Sequence, residues 1–394
     1  MTRSENQPSK HRPFSNAELA GLLGASLGPA LRLLLHPTTV RQWPRLLSEG
    51  ADPFVHLLLQ ANNTALINKW LRQGTNVVFL SSYPRSGNTW MRFMLTDVFL
   101  QMHGVETTTQ LQVHPDDFIP EFRGNSIVRR LARCPSWAAT PPTAVIKTHS
   151  LVDRLEQIIS EKSRLDPGDR SGHSKPVRGC KILYLYRSAE DALVSFYHFC
   201  LREPVWKHRA AGGVDAFCRT EVSRWMENVE SYLRAPESGF PVFFVSYERI
   251  LEQPTIVLSD VLQWLGLPHD AQMVQRAVSN MRFDKLQTME AEENKTRLSA
   301  AETQLFFRRG YPGSGRSELQ DATLREIQDR TAPLFDEANR RMNQRTEQSA
   351  PATPILNHSD VRADQRNGHA GLNGHSNRNG GAKESKMLSR LQGM

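Results

Sequence analysis

The chain predicts an α/β fold, a P-loop-like, doubly wound parallel sheet flanked by helices, and three observations predict it. Short apolar runs at 77–81, 144–148, 181–186 and 242–246 alternate with segments of helical apolar spacing, the pattern of parallel strands joined by crossover helices. The first run, Val77-Val78-Phe79-Leu80, is apolar at consecutive positions, as in a strand covered on both faces. It empties into Ser81-Ser82-Tyr83-Pro84-Arg85-Ser86-Gly87-Asn88-Thr89-Trp90, and helical spacing resumes at Met91, Met94, Leu95 and Val98. Strand, glycine-bearing loop and helix N-terminus in that order aim backbone N–H groups at an anion. The ligand of such a sheet is expected beyond the carboxyl ends of its strands.

The elements follow in order. Residues 1–14 are polar and form a flexible N-terminus. Residues 15–75 read as a helical extension, in which Leu57-Leu58-Leu59, Leu66-Ile67 and Trp70-Leu71 fit a helix ending near Gly74. The domain proper spans 76–342. Within it, Glu221 to Leu233 places Val222, Trp225, Met226, Val229 and Leu233 on one helical face. Thr255 to Leu265 is a second helix, stopped by Gly266 as C-cap and by Pro268 beyond it. Residues 163–179, rich in charge, Gly, Ser and Pro, form a surface loop. Residues 343–394 turn to Asn, Gly, Ser, His and Gln, bury too little apolar surface to offset their ordering entropy, and read as a disordered tail. Its histidines 358, 369 and 375 belong to that solvated tail rather than to a metal site. There is no internal repeat.

With 394 residues, 39% of them hydrophobic, the chain is long enough for a sizeable core. The net charge of +8 fits nucleic acid, an anionic membrane or an anionic nucleotide alike. No basic run with interleaved aromatics occurs, which argues against nucleic acid. Cysteines 134, 180, 200 and 218 form no Cys-x-x-Cys pair, so they read as free thiols of a reducing cytosol, with no zinc spacing and no disulfide framework. The apolar stretch Leu19 to Leu35 holds Pro29 and Arg32, is too short to span a bilayer and lacks a cleavage site. A cytoplasmic protein is expected. That stretch packs on the main domain or, alternatively, makes peripheral contact with a membrane.

The loop is not a Walker A motif, since Gly-x-x-x-x-Gly-Lys-Ser/Thr is absent. Four segments in order are informative: Tyr83 to Trp90; Ala144-Val-Ile-Lys-Thr-His149; Tyr184 to Phe199, beginning Tyr-Leu-Tyr-Arg; and Phe306-Phe-Arg-Arg-Gly-Tyr-Pro-Gly-Ser-Gly-Arg316. In order and approximate spacing they resemble the cytosolic-type sulfotransferases, which move a sulfuryl group from 3′-phosphoadenosine 5′-phosphosulfate (PAPS) to an acceptor hydroxyl or amine. The resemblance covers roughly residues 76–320.

The residues support the roles this resemblance implies. Backbone N–H groups from Ser86 to Thr89, with the side chains of Arg85, Ser86 and Thr89, suit a 5′-phosphate and its sulfate. Gly87 lets the backbone approach, Asn88 joins the nucleotide-binding set, and Trp90 offers a ring face to adenine as the matching Trp of the family does. Lys147 and His149 stand two apart at a strand end and project to one face. His149 takes the proton of the attacking hydroxyl, a task suited to an imidazole titrating near neutrality. Lys147 neutralises charge on the sulfuryl or the bridging oxygen. Arg187 grips a phosphate in bidentate fashion with Ser195 two turns along the same face; in the family this pair holds the 3′-phosphate. Glu190 and Asp191 complement the dipole of that helix and read as structural. Tyr197, His198 and Phe199 pack against the acceptor side, with no catalytic part for His198. By the resemblance, Tyr247 and Phe283 neighbour adenine, and Arg308, Arg309 and Gly310 close over the 3′-phosphate.

Three departures from the family pattern stand out. Arg85 replaces the usual loop Lys, Asn88 replaces one of two Thr, and Gly315 stands where Gly-x-x-Gly-x-Trp-Lys has Trp. Arg85 is expected to hold phosphate and sulfate, leaving Lys147 more of the leaving-group stabilisation. The lost aromatic bears on loop packing and on contact with a neighbouring subunit, and a homodimer stays open. The resemblance implies PAPS as co-substrate, no metal, and a small-molecule or lipid-like acceptor whose pocket draws on 104–140 and 200–218. Two other readings stay open: a nucleoside-triphosphate kinase with a degenerate phosphate loop, and a nucleotide-binding module without catalysis.

Overall fold

The computed structural model describes residues 52–104, 115–122, 143–159, 179–203, 206–297, 307–308 and 310–348. The expectations for residues 1–51, for Cys134, for the loop up to residue 178, for Arg309 and for the tail from 349 lie outside these residues.

All four apolar runs are strands: β1 (Asn76–Ser82), β2 (Thr143–Thr148), β3 (Cys180–Tyr186) and β4 (Val242–Ser246). They pair in parallel in the order β2-β1-β3-β4, with Leu80 opposite Lys147 on one side and opposite Leu183 on the other. The chain leaves β1 to one side to form β2 and returns to the other side for β3. The direction of winding therefore switches between β1 and β3, and a ligand crevice opens at such a point.

The helices are α1 (Asp52–Arg72), α2 (Asn88–Met102), the single turn α3 (Pro115–Phe118), α4 (Val152–Ile158), α5 (Ala189–Arg202) and α6 (Gly213–Arg234). They continue as α7 (Tyr247–Glu252), α8 (Pro254–Leu265), α9 (Ala271–Asn280), α10 (Phe283–Arg297) and α11 (Asp321–Gln348). Because strand side chains alternate, Val77, Phe79, Ile146, Ile182, Tyr184 and Phe244 enter one apolar layer, shared with α1, α4, α5, α6 and α11. Val78, Leu80, Val145, Leu183, Leu185 and Val245 enter the other, shared with α2, α8 and α9. Cover on both faces is why these strands are apolar at consecutive positions. The Glu221–Leu233 helix lies inside the longer α6, and Trp225 and Val229 on its expected apolar face are fully buried. The helix read as starting at Thr255 begins at Pro254, and Gly266 ends it in the left-handed region as expected.

Buried hydroxyls need partners, and here the partners tie α6 to the strand ends. Tyr184 donates to Asn228 at 2.9 Å and stacks on Tyr232 with ring centroids 4.2 Å apart. The Tyr232 hydroxyl donates to the Ser150 carbonyl, and the Val152 N–H donates to the Ser231 hydroxyl at 2.8 Å. The stretch just past β2 is thereby fixed.

The composition shift at Asn343 does not end the ordered chain: α11 runs on to Gln348. Arg340 and Arg341 both pair with Glu337 at helical spacing, which supports the helix through this region. No described helix is long and apolar enough to cross a membrane. Cys180, Cys200 and Cys218 are buried free thiols.

Leu258 of α8 is fully buried in the second layer, remote from the crevice. Leu258→Ala should destabilise the fold by about 2–5 kcal/mol, the range for a core leucine truncation. In urea unfolding the midpoint should fall with the slope unchanged; an unshifted midpoint contradicts this packing.

Candidate active site

A cavity of about 490 Å³ opens at the carboxyl ends of β1, β2 and β3. Its walls include Arg85, Gly87, Asn88, Thr89, Trp90, Lys147, His149, Arg187, Ser195, Tyr247, Phe283, Arg308 and Gly310. Segments far apart in the sequence are thus brought to one place by the parallel sheet.

The loop after β1 turns at Arg85, whose φ of 70° is the single positive value at a non-glycine among the described residues. A side chain there is strained, and such strain collects at functional turns. The turn sends the guanidinium inward, where Nε donates to Ser195 Oγ at 3.1 Å and Cζ lies 5.7 Å over the Phe199 ring. Burial, and then repulsion from Arg187, bring its pKa down to about 9. Gly87, at φ 93°, passes so close to Tyr247 that a Cβ would stand 2.8 Å from its ring. Asn88 lines the cavity and also has a structural task. Its Nδ2 donates to the Leu80 carbonyl at 3.1 Å and to Ser82 Oγ at 3.2 Å, lacing the loop to β1, while its buried Oδ1 has no partner among the described residues. Ser86 is fully buried and is not among the residues that line the cavity.

One wall is aromatic. Trp90 sits edge-on to Tyr247 at 6.2 Å and to Phe283 at 6.5 Å, and Phe283 meets Phe307 at 5.7 Å. The indole N–H donates to the Met281 carbonyl at 2.7 Å, which fixes the ring while leaving its edge on the cavity. The edge-on contacts hold the three rings as one aromatic wall of the cavity.

Across the cavity, His149 Nδ1 lies 2.8 Å from the Ser82 carbonyl oxygen. A carbonyl only accepts, so Nδ1 carries the proton and Nε2 keeps its lone pair. Burial, and then the Lys147 charge, lower the His149 pKa to about 4. This departs from the expected titration near neutrality, because the sequence shows neither the burial nor how close the ammonium stands. Lys147 Nζ is held at 2.9 Å by Glu121, a cavity residue that the sequence did not single out. The chain reaches Glu121 by an isolated bridge in which Lys147 N–H donates to Pro120 and Phe122 N–H donates to Lys147. No spacing rule links Glu121 to Lys147, so no signal could have found it.

Arg187, at the end of β3, lies 4.3 Å over the Tyr247 ring and pairs with Asp191 at 3.3 Å. Its Nε is buried and has no partner among the described residues. Arg308 is held by Glu318 at 2.6 Å, and Glu318 also takes His198 at 2.5 Å. His198 belongs to that ion cluster and not to the cavity wall. Phe196, Trp206, Phe307 and Ser314 also line the cavity and were missed, and Phe199 lines it too. Both Phe196 and Phe199 fall in the helical segment after Arg187, where Phe199 is one turn from Ser195 and Phe196 is its neighbour.

The arrangement fits a nucleotide with several negative charges. Three guanidinium groups and an ammonium converge on the cavity.

A family model described as the sulfotransferase domain matches residues 75–343. Flavonol 3-sulfotransferase of Flaveria bidentis is 24% identical, over 64% of this chain and 79% of its own. Cytosolic sulfotransferase 13 of Arabidopsis thaliana is also 24% identical, over 64% of this chain and 74% of its own. Among solved structures, mouse sulfotransferase SULT7A1 complexed with PAP matches at 17% identity, with a TM-score of 0.44, over 71% of this chain and 93% of that one. With the family model covering its whole α/β domain, the chain belongs to the sulfotransferase family, the PAPS-dependent enzymes whose motifs its sequence carries.

Proposed function

We propose that the protein transfers a sulfuryl group from PAPS to a hydroxyl or amine of a small-molecule or lipid-like acceptor by in-line displacement, with His149 as general base. The observation that carries this reading is the Nδ1–H bond from His149 to the Ser82 carbonyl at 2.8 Å, which leaves Nε2 as the acceptor of a proton on the cavity side. With its pKa lowered to about 4, the ring is in the basic form throughout the neutral range.

When bound, PAPS supplies a sulfuryl group activated by its link to the 5′-phosphate. The N–H groups of the 86–89 loop and the start of α2 suit that phosphate. Arg187, Ser195, Arg308, Arg309 and Gly310 suit the 3′-phosphate, and Trp90, Tyr247 and Phe283 suit the base. Nε2 of His149 takes the acceptor proton as the acceptor oxygen bonds to sulfur. Lys147, steadied by Glu121, and Arg85 meet the charge that builds on the departing bridging oxygen. Phe196, Phe199 and Trp206 give the cavity an apolar end, which suits an acceptor with a hydrophobic body. Flaveria bidentis flavonol 3-sulfotransferase carries such a compound in its name. The buried free thiols accord with a cytoplasmic location.

His149→Ala should lower kcat by about a hundredfold to ten-thousandfold, the usual worth of general-base help, while binding of the bisphosphate product is unchanged by calorimetry. Near-normal turnover in that variant contradicts the assignment. Tight bisphosphate binding by the wild type with no transfer to a broad acceptor panel supports instead a module without catalysis.

The His149 ring is charged only below its pKa, so base function should persist down to about pH 4 in the unliganded enzyme. Followed by NMR, the ring should stay neutral from pH 8 to pH 5, estimates that follow from a pKa near 4. In Lys147→Ala its titration should move upward, though burial keeps it below the ordinary value. An inflection near 6.5 in the wild type contradicts the site electrostatics.

A further inference from the structure

Asp191 stands in the first turn of α5, where an acidic side chain complements the helix dipole. Its surroundings show a larger task. The side chain is wholly buried, and its two oxygens serve three donors. Oδ1 accepts the Gly315 N–H at 2.6 Å; Oδ2 accepts the Gly313 N–H at 2.7 Å and pairs with Arg187 Nη2 at 3.3 Å. Arg187 also donates to the Tyr311 carbonyl of the same loop at 3.4 Å. One carboxylate thus ties a cavity guanidinium to the loop whose other end carries Gly310 on the cavity wall.

Gly315 completes the seat. A Cβ there would stand 2.5 Å from the Glu190 carbonyl oxygen and 3.0 Å from the Asp191 Cα. The loop lies flat on the backbone of α5, and no side chain fits beneath it. This is a physical account of the position where the family pattern has Trp: here the aromatic is given up and the contact is made by backbone.

We propose that Asp191 is a positioning residue that locks Arg187 and the 310–316 loop into one unit, so that recognition of the 3′-phosphate depends on a carboxylate that never touches it. The inference rests on the reading above that Arg187 faces that phosphate. It differs in sign from a plain charge effect. Removing a buried negative charge beside a cationic cavity strengthens anion binding if only the field matters. Positioning demands the opposite. Without Asp191, two loop N–H groups lose their acceptor, and Arg187 is free to swing away from Arg85, which it repels.

The test titrates full-length protein with adenosine 3′,5′-bisphosphate and with adenosine 5′-monophosphate by calorimetry. Asp191→Asn should weaken the bisphosphate by about tenfold to a hundredfold, the scale of charge-assisted hydrogen bonds, and move the monophosphate by no more than about twofold. Gly315→Ala should reproduce that loss with Asp191 in place, and it carries the test if the first variant fails to fold. The double variant should be little worse than either single one, since both break the same contact. Bisphosphate binding at wild-type strength or tighter in Asp191→Asn overturns the proposal, as does an equal loss for both nucleotides. If the wild type itself binds both nucleotides alike, the 3′-phosphate reading beneath the proposal fails instead.

Discussion

The guanidinium groups of Arg85 and Arg187 are drawn out of water at the same end of one sheet, close enough that each opposes the charge on the other. Burial of like charges is costly unless they are paired or hydrogen-bonded. The surrounding structure reads as a set of answers to that cost. Arg187 is held by Asp191 and lies over the Tyr247 ring, and Arg85 is held by Ser195 and faces Phe199. What remains is an excess of positive charge on the walls of the cavity. A nucleotide bearing two phosphates and a sulfate, the donor proposed above, would offset that excess.

The same crowding shapes the chemistry. His149 is half-buried next to Lys147, and a proton on its ring would be disfavoured both by desolvation and by the neighbouring charge. The Ser82 carbonyl then decides which nitrogen keeps the remaining proton. Glu121 softens the effect of Lys147 and holds its ammonium to the wall. The position of Lys147 and His149, the pair proposed as catalytic, is therefore set by the strand ends of β1 and β2 and by one residue bridged to β2, all of them backed by the apolar layers and the Tyr232 hydroxyl bond to Ser150. Rigid supports of this kind keep reacting groups in register.

Much of this was legible in the sequence because it is local. Val77 to Leu80 is apolar at consecutive positions, so its strand and its burial on both faces follow directly. Lys147 and His149 are two apart at the end of β2, so a shared direction is expected from alternation. Gly266 behind an amphipathic run marks a helix end. The residues that escaped are the ones whose partners lie far along the chain. Glu121 meets Lys147 only through a bridge, and Asp191, which looked like a helix-dipole residue, meets Gly313 and Gly315 across more than a hundred positions. The His149 pKa escaped for a related reason, since burial is a property of the assembled layers. The composition shift at Asn343 gave no sign of α11, which pairs from Glu337 to Arg340 and Arg341 support as far as Gln348.

The central claim is that the paired cations and the loop hold a 3′,5′-phosphorylated nucleotide so that its 5′ end meets Lys147 and His149. A crystal structure of the full-length protein with adenosine 3′,5′-bisphosphate tests it most directly. The account predicts the 5′-phosphate on the N–H groups of Gly87 to Thr89, the 3′-phosphate on Arg187 and Ser195, and the base between Trp90, Tyr247 and Phe283. A nucleotide bound in the reverse direction, or with its 5′-phosphate remote from Lys147 and His149, would contradict it.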